Sequence, residues 1–125
     1  MRFLKNKRET KSDINYLELT PYRIYEHEFR DNGELVNILV PKFTGRILGK
    51  YLQPNLKYKY IKADLDKFGT ATWLAIDGQT NVNGIAEKLV EQFGDEIQPV
   101  HQRLTNFLTQ LYKAGFISFN ELERN

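Results

Sequence analysis

The feature that most constrains this chain is the block at residues 58–119, in which one strand pattern leads into three amphipathic helix patterns. A glycine follows each helix pattern, at Gly78, Gly94 and Gly115. Glycine has no β-carbon to clash in the left-handed backbone conformation that ends many helices. The spacing therefore predicts three short helices joined by brief turns, followed by a short strand at residues 116–119.

Each predicted helix begins with a residue that suits a helix start. Asp66 and Asn81 can accept hydrogen bonds from free backbone amides of a first turn, so they are predicted N-caps of the first and second helices. Pro99 suits the first turn of the third helix because its φ angle is already helical. Apolar residues recur every three or four positions, which predicts one buried face per helix. These residues are Phe68, Ala71, Thr72, Ala75 and Ile76 in the first helix, Val82, Ile85, Ala86, Leu89 and Phe93 in the second, and Val100, Leu104, Phe107, Leu108 and Leu111 in the third.

The amino-terminal half is typical of strands. Residues 22–29 and 35–40 are two β-prone runs, and the segment between them contains Asn32 and Gly33. An Asn-Gly pair favours the positive φ angles of a tight turn, so the two runs predict a β-hairpin. A third strand is predicted at residues 58–63.

Together these elements predict an α+β fold of the winged helix-turn-helix type, in which the N-terminal hairpin and the third strand pack on three helices. The length of 125 residues fits one domain. Residues 1–15 lack apolar periodicity and are predicted to form a flexible tail. Residues 16–125 are predicted to form the domain, with the hairpin and a loop at 16–57 and the core at 58–119. Within the loop, residues 42–57 are assigned no secondary structure.

Composition excludes several classes of protein. The chain has no cysteine, which excludes disulfides and thiolate chemistry. No segment approaches the roughly 20 apolar residues of a membrane helix, and the basic start lacks the apolar run of a signal peptide. A soluble, cytoplasmic protein without membrane contact is therefore expected.

Charge is distributed unevenly along the chain. Residues 1–65 carry 13 Lys and Arg against 8 Asp and Glu, whereas residues 66–125 carry 5 against 8. A basic half can indicate an acidic partner. Much of the excess lies in the predicted tail, however, where charge also serves solvation.

Residues that could carry catalysis or bind a metal lack partners in the sequence. The two histidines, His27 and His101, lie far apart, and a metal site needs several converging ligands. Ser12 and Ser118 stand in no nucleophile motif, and no phosphate-binding glycine loop is present. The sequence therefore predicts a protein that is not an enzyme and needs no cofactor.

A helix-turn-helix arrangement also suggests DNA binding, with the third helix as the recognition helix. Its polar residues are only weakly basic, and nearby acids oppose a polyanion, which makes a DNA-binding regulator the minority alternative. These polar residues are Gln98, His101, Gln102, Arg103, Asn106, Gln110 and Lys113.

The third predicted strand combines aromatic and basic residues in a segment expected at a sheet edge. Charged edge residues often serve only to prevent sheets from aggregating. An open edge can also accept a peptide as an added strand. The residues alone leave these two interpretations equally supported. They are Lys57, Tyr58, Lys59, Tyr60 and Lys62.

From about residue 58 to residue 119 the chain resembles the PqqD family, named after a small protein of pyrroloquinoline quinone biosynthesis. The similar segments are LDKFGTATWLAIDG, NVNGIAEKLVEQFG and RLTNFLTQLYKAGFI, in that order. The preceding NYLELTPYRIYEHEF and ILVPKF also look like the longer members. The chain departs from the family at Gly84, where many members place an acid that would return a capping contact.

The resemblance implies a peptide-recognition element of pathways that modify ribosomally made peptides. In that family the leader of a precursor peptide adds beside the third strand and packs against the third helix. The core peptide is thereby delivered to a modifying enzyme, often a radical S-adenosylmethionine protein. Carried onto this chain, the strand contacts would be Tyr58, Lys59, Tyr60, Ile61 and Lys62, and the groove contacts would be Arg103, Phe107, Gln110 and Leu111.

The leading hypothesis is therefore a non-enzymatic adaptor that captures a leader peptide and presents it to a modifying enzyme. If Lys59 and Lys62 contribute to the site by charge, the expected leader is acidic. The alternatives are a winged-helix DNA-binding regulator and a repurposed scaffold that docks another protein through residues 1–57. Nucleic acid and membrane are not expected partners.

Overall fold

Four strands are followed by three α-helices and a fifth strand, a mixed α+β arrangement, in the computed structural model, which describes residues 15–42 and 60–122. The α+β class is thereby confirmed, whereas the winged helix-turn-helix topology stays a prediction. The strands are β1 (Pro21–Arg23), β2 (His27–Arg30), β3 (Leu35–Pro41), β4 (Tyr60–Asp64) and β5 (Ile117–Phe119), and the α-helices are α1 (Lys67–Ala75), α2 (Val82–Phe93) and α3 (Val100–Lys113). Within these two ranges, short 3-10 helices cover Tyr16–Glu18, Gly94–Ile97 and Asn120–Leu122.

The strands form two small antiparallel sheets. One pairs β1 with β5, so that the two ends of the described chain meet. The other has the order β2-β3-β4 and carries the predicted hairpin, with β2 and β3 joined by a tight turn. Asp31, Asn32 and Gly33 in that turn have φ angles of 54°, 60° and 86°, in agreement with the turn predicted from Asn-Gly.

The prediction of one continuous strand at residues 22–29 is wrong. The run divides into β1 and β2, which belong to different sheets. The middle of the run forms hydrogen bonds to both sheets. The amide of Ile24 donates to the carbonyl of Phe116, and the carbonyl of Glu26 accepts from the amide of Leu39. Strand propensity identifies a β-prone run but does not show which partner each part of the run pairs with.

The helix caps form largely as predicted. The Asp66 carboxylate accepts from the amide of Gly69 at 2.8 Å, and the Asn81 side chain accepts from the amide of Gly84 at 2.8 Å. Pro99 stands at the N-cap of α3, one residue before the first turn. Local capping chemistry therefore fixes where α1 and α2 begin.

The hydrophobic core lies between the three helices and the inner face of the β2-β3-β4 sheet. α2 buries Val82, Ile85, Ala86 and Leu89 as predicted. The predicted face of α1 needs correction, because Trp73 is fully buried although it was not assigned to that face, whereas Phe68, Ala71 and Ala75 are only partly buried. The inner face of α1 is thus rotated toward Gly69, Thr72 and Trp73.

Polar contacts attach the sheet to α1. The amide of Val36 donates to the hydroxyl of Thr70 at 3.0 Å, and both groups are buried. The Arg30 guanidinium donates to the carbonyls of Val36 and Leu65 and to the side chain of Asn37, at 2.6–3.0 Å. These bonds fix the carboxyl end of β4 against β3, just before α1 begins.

No described helix is long and apolar enough to cross a membrane.

Candidate functional site

One edge of β4 is open in the described part of the chain. β4 pairs with β3, and no other described strand pairs with it. The amide of Leu65 donates to the carbonyl of Val36 at 3.0 Å. Because bonding alternates along an antiparallel ladder, the N–H and C=O groups of Lys62 and Asp64 point to the outer side. This side therefore offers backbone donors and acceptors for another strand.

A cleft of about 420 Å³ lies beside this edge, where β4 runs into α1. Its walls come from that junction and from all three α-helices. Most of the lining residues are apolar, and the charged ones are two aspartates and one arginine. The lining residues are Asp64, Leu65, Asp66, Phe68, Gly69, Thr72, Leu89, Ile97, Arg103, Leu104 and Phe107. An open strand edge and an apolar cleft thus share the residues Asp64 and Leu65.

Gly69 keeps the cleft open between α1 and α3. A β-carbon at residue 69 would lie 3.3 Å from Cβ of Leu65 and 3.4 Å from Cζ of Phe107. Such contacts are tighter than most real ones, so any larger side chain would have to displace a cleft wall. Glycine in the interior of a helix usually lowers helix stability, and here the absence of a side chain leaves space for the cleft.

Arg103 and Phe68 form one wall of the cleft. The Cζ atom of Arg103 lies 4.7 Å from the centroid of the Phe68 ring, and its Nη1 donates to the carbonyl of Glu96 at 3.0 Å. Lys67 lies 5.1 Å from the same centroid and pairs with the Glu96 carboxylate at 2.7 Å. The ring therefore lies under two cations, a geometry that stabilises both through the quadrupole of the ring.

On the outer face of the sheet, Lys62 is already paired. Its Nζ lies 2.9 Å from Oε2 of Glu28, which also accepts from the side chain of Asn37 at 3.1 Å. The bond to Lys62, followed by the bond to Asn37, lowers the pKa of Glu28 below its usual value. Glu28 therefore stays ionised at neutral pH and offsets the charge of Lys62.

The structure brings some of the predicted strand contacts to the open edge. Tyr58 and Lys59 lie outside the described residues. Tyr60 is half-buried, Ile61 is 56% exposed and Lys62 is exposed, all on β4.

The predicted contacts on α3 separate into two groups. Arg103 and Phe107 line the cleft, so they lie near the β4 edge. Gln110 is exposed and Leu111 is 5% exposed, and neither lines the cleft. Leu111 packs within the hydrophobic core.

Sequence reasoning missed several lining residues at the start of α1. Leu65, Asp66, Phe68 and Gly69 all line the cleft but were considered only as a capping signal and a core face. They fall within the segment LDKFG, which also belongs to the family resemblance. A glycine three residues after an N-cap is the signal that could have indicated a close approach there.

His27 has a structural role in the described part of the chain. Its Nδ1 accepts from the indole Nε1–H of Trp73 at 3.1 Å, and burial lowers its pKa, with the positive charge of Arg23 acting in the same direction and Glu26 in the opposite one. Across residues 15–42 and 60–122, no group of three or more His, Asp or Glu residues is placed to hold a metal ion.

Fold and site together define a small α+β protein with an open strand edge beside an apolar cleft. Residues 59–117 match the family model of coenzyme PQQ synthesis protein D (PqqD). The match spans β4, the three helices and the first residue of β5, and it confirms the resemblance inferred from the sequence. No curated protein and no solved structure gives a significant match.

Proposed function

We propose that this protein is a non-enzymatic peptide-binding adaptor of a peptide-modification pathway. It captures the leader of a ribosomally made precursor peptide as an added strand on β4 and presents the peptide to a modifying enzyme. The match to the PqqD family model supports an accessory role associated with PQQ or related modified peptides. A radical S-adenosylmethionine enzyme is the partner that the family resemblance favours.

The observation that carries this proposal is the continuity of the open β4 edge with the apolar cleft. A strand added to β4 would gain main-chain hydrogen bonds from Lys62 and Asp64, whose backbone groups point outward. Alternate side chains of that strand would project toward the helices, where the cleft lies. The edge thus provides affinity for any extended chain, and the cleft provides selectivity.

Burial in the cleft supplies the apolar part of the binding energy. Phe68, Leu104 and Phe107 line a space of about 420 Å³, which is large enough for bulky side chains. Complete burial of one large apolar side chain contributes about 1.5–3 kcal/mol. One or two such residues, together with a few strand hydrogen bonds, give an affinity that is adequate for reversible capture.

Charge argues against the DNA-binding alternative. Residues 60–122 carry five Lys and Arg against eight Asp and Glu. Arg103, the cation near the N-terminus of α3, is held against Phe68 and the carbonyl of Glu96. A recognition helix needs accessible cations for phosphate contacts, so a peptide ligand fits this surface better than a polyanion.

The proposal is tested by titrating the ¹⁵N-labelled full chain with the leader segments of short peptides encoded beside its gene. We expect saturable binding that perturbs the amides of residues 60–65 and of α1 and α3 around the cleft. Duplex DNA from the region upstream of the gene serves as the competing ligand. Absence of saturable binding by any leader, or binding to DNA with steep salt dependence, contradicts the adaptor function.

A further inference from the structure

Of the two carboxylates that strands β2, β3 and β4 place on the outer face of their sheet, one has no ion pair within the described residues. Lys62 pairs with Glu28 at 2.9 Å. The Arg30 guanidinium lies 4.0 Å from the carboxylate of Asp31 and is bonded to neutral acceptors. Asp64 is exposed and has no ion pair within the described residues. Among the described residues, Asp64 is therefore the charge on this face of β4 that no ion pair compensates.

The register of the ladder determines which residues of an added strand meet that charge. Asp64 lies opposite Asn37, and Ala63 lies opposite the buried Ile38, so Ala63 and Leu65 face the helices while Asp64 faces outward. Side chains directly opposite each other in a sheet share a face and lie about 5 Å apart. A guest residue opposite Asp64 therefore points to the outer face, and its two neighbours point toward the cleft.

We infer that the adaptor selects a leader segment in which a lysine or arginine stands between two apolar residues, with the basic residue opposite Asp64 and the apolar pair facing the cleft. The inference rests on the proposed function and specifies its ligand. It replaces the acidic leader suggested by the lysines of the strand, because the charge of Lys62 is compensated by Glu28. The excess of acidic over basic residues in residues 60–122 also favours a basic ligand.

The expected change in peptide affinity with the charge of the guest residue is modest but measurable. A favourable cross-strand ion pair and an unfavourable like-charge pair each change affinity by a few-fold, so exchanging lysine for glutamate at the guest position lowers affinity by about tenfold. The effect decreases as salt increases because Asp64 is exposed.

The experiment is a selection of random short peptides, displayed on phage, against the immobilised full chain. We expect the recovered peptides to share an apolar-basic-apolar pattern. Synthetic versions of the best one, with Lys, Gln or Glu at the central position, then give the dissociation constants, and amide shifts at residues 60–65 locate the binding. Asp64→Asn removes the preference for Lys over Gln, while Glu91→Gln, which removes an exposed carboxylate from α2, retains it.

Lys62→Gln provides an independent test. It removes the partner of Glu28 and leaves a second carboxylate on the same face, so the preference for a basic guest residue increases about threefold. If Lys62 instead binds an acidic guest residue, peptides selected against the wild type carry Asp or Glu at the central position. Peptides selected against Lys62→Gln then lack this acidic residue.

The possible outcomes distinguish failure of the inference from failure of the proposed function. Acidic central residues, or no charge preference, overturn the inference and leave the adaptor function standing. Failure to recover any peptide that perturbs the β4 edge contradicts the adaptor function as well. Variants that lose the amide spectrum of the folded chain are replaced by Asp64→Ser and Lys62→Met, which remove the same charges.

Discussion

Gly69 of α1 and Phe107 of α3 face each other so closely that a β-carbon at residue 69 would lie 3.4 Å from Cζ of Phe107. The same atom would lie 3.3 Å from Oδ1 of Asp66, the N-cap of α1. The two helices approach at this point, and the cleft opens beside them. Gly69 is thus a determinant of the cleft that neither charge nor hydrogen bonding reveals.

Gly69→Ala is expected to lower affinity for a bound leader by about three- to tenfold, with little change in stability. The methyl group gains up to about 1 kcal/mol of helix propensity, which offsets the cost of displacing Phe107 by a few tenths of an ångström. Affinity falls because the displaced ring narrows the cleft. Isothermal titration with a leader peptide and thermal unfolding measure the two effects.

The matched control for Gly69→Ala is Leu74→Ala, which changes an exposed residue of the same helix that does not line the cleft. Its affinity for the leader should equal that of the wild type. If both variants bind equally well, the cleft beside Phe107 does not receive the leader.

Gly84 has a different reason to be glycine. A β-carbon at residue 84 would lie 2.7 Å from Cγ2 of Thr80, a separation that real β-carbons essentially never show. The Thr80 hydroxyl and amide both bond to the carboxylate of Asp77, which holds the methyl group in place. The departure from the family pattern at this position is therefore explained, since an acidic side chain would collide with Thr80.

Gly84→Ala is expected to lower the free energy of unfolding by about 1–2 kcal/mol, although alanine is the better helix former. Thr80→Ser removes the colliding methyl group and keeps the bond to Asp77. The double variant Thr80→Ser with Gly84→Ala should therefore recover most of the loss. Urea unfolding of the three variants checks this, and a double variant as unstable as Gly84→Ala would rule out the steric explanation.

Local signals predicted the parts of this fold that depend on neighbouring residues. Asp66 and Asn81 cap the helices they were expected to cap, because a side chain bonding to an amide three residues away needs no tertiary information. The turn at Asn32 and Gly33 was predictable for the same reason. The α+β class follows once these local elements are assembled.

Features that depend on distant residues could not be predicted. The division of the 22–29 run between two sheets depends on pairing with Phe116 and Leu39, far along the chain. The neutralisation of Lys62 depends on Glu28, two strands away. Two of the predicted groove contacts, Arg103 and Phe107, line the cleft, and their role in binding stays a prediction. The wall at Phe68 and Gly69 depends on how α1 rotates against the sheet.

Arg30 of β2 bonds through one guanidinium group to β3 and to Leu65, the residue after β4. Its removal should destabilise the sheet next to the site. Arg30→Ala leaves the carbonyls of Val36 and Leu65 without this donor, so the free energy of unfolding should fall by about 2–3 kcal/mol. Arg30→Lys keeps the charge but cannot span the same acceptors, and should recover less than half of the loss. Chemical denaturation tests this, with Lys88→Ala on α2 as an exposed cation control.

The hydrogen bond from Trp73 to His27 predicts a loss of stability in acid. Nδ1 of His27 accepts the indole N–H, so the fold requires a neutral imidazole, and burial is the main cause that lowers the pKa of His27 in the folded protein. The unfolded chain, with a histidine pKa near about 6.5, then binds the proton more readily than the folded chain. The stabilisation from the hydrogen bond between Trp73 and His27 is complete above that pH. It is lost as pH falls below it toward the lower pKa of the folded protein.

Unfolding free energies should therefore decline between pH 8 and pH 5. This decline should be reduced in His27→Gln, whose amide oxygen can still accept from Trp73. An unchanged pH dependence in His27→Gln would show that His27 does not titrate with folding.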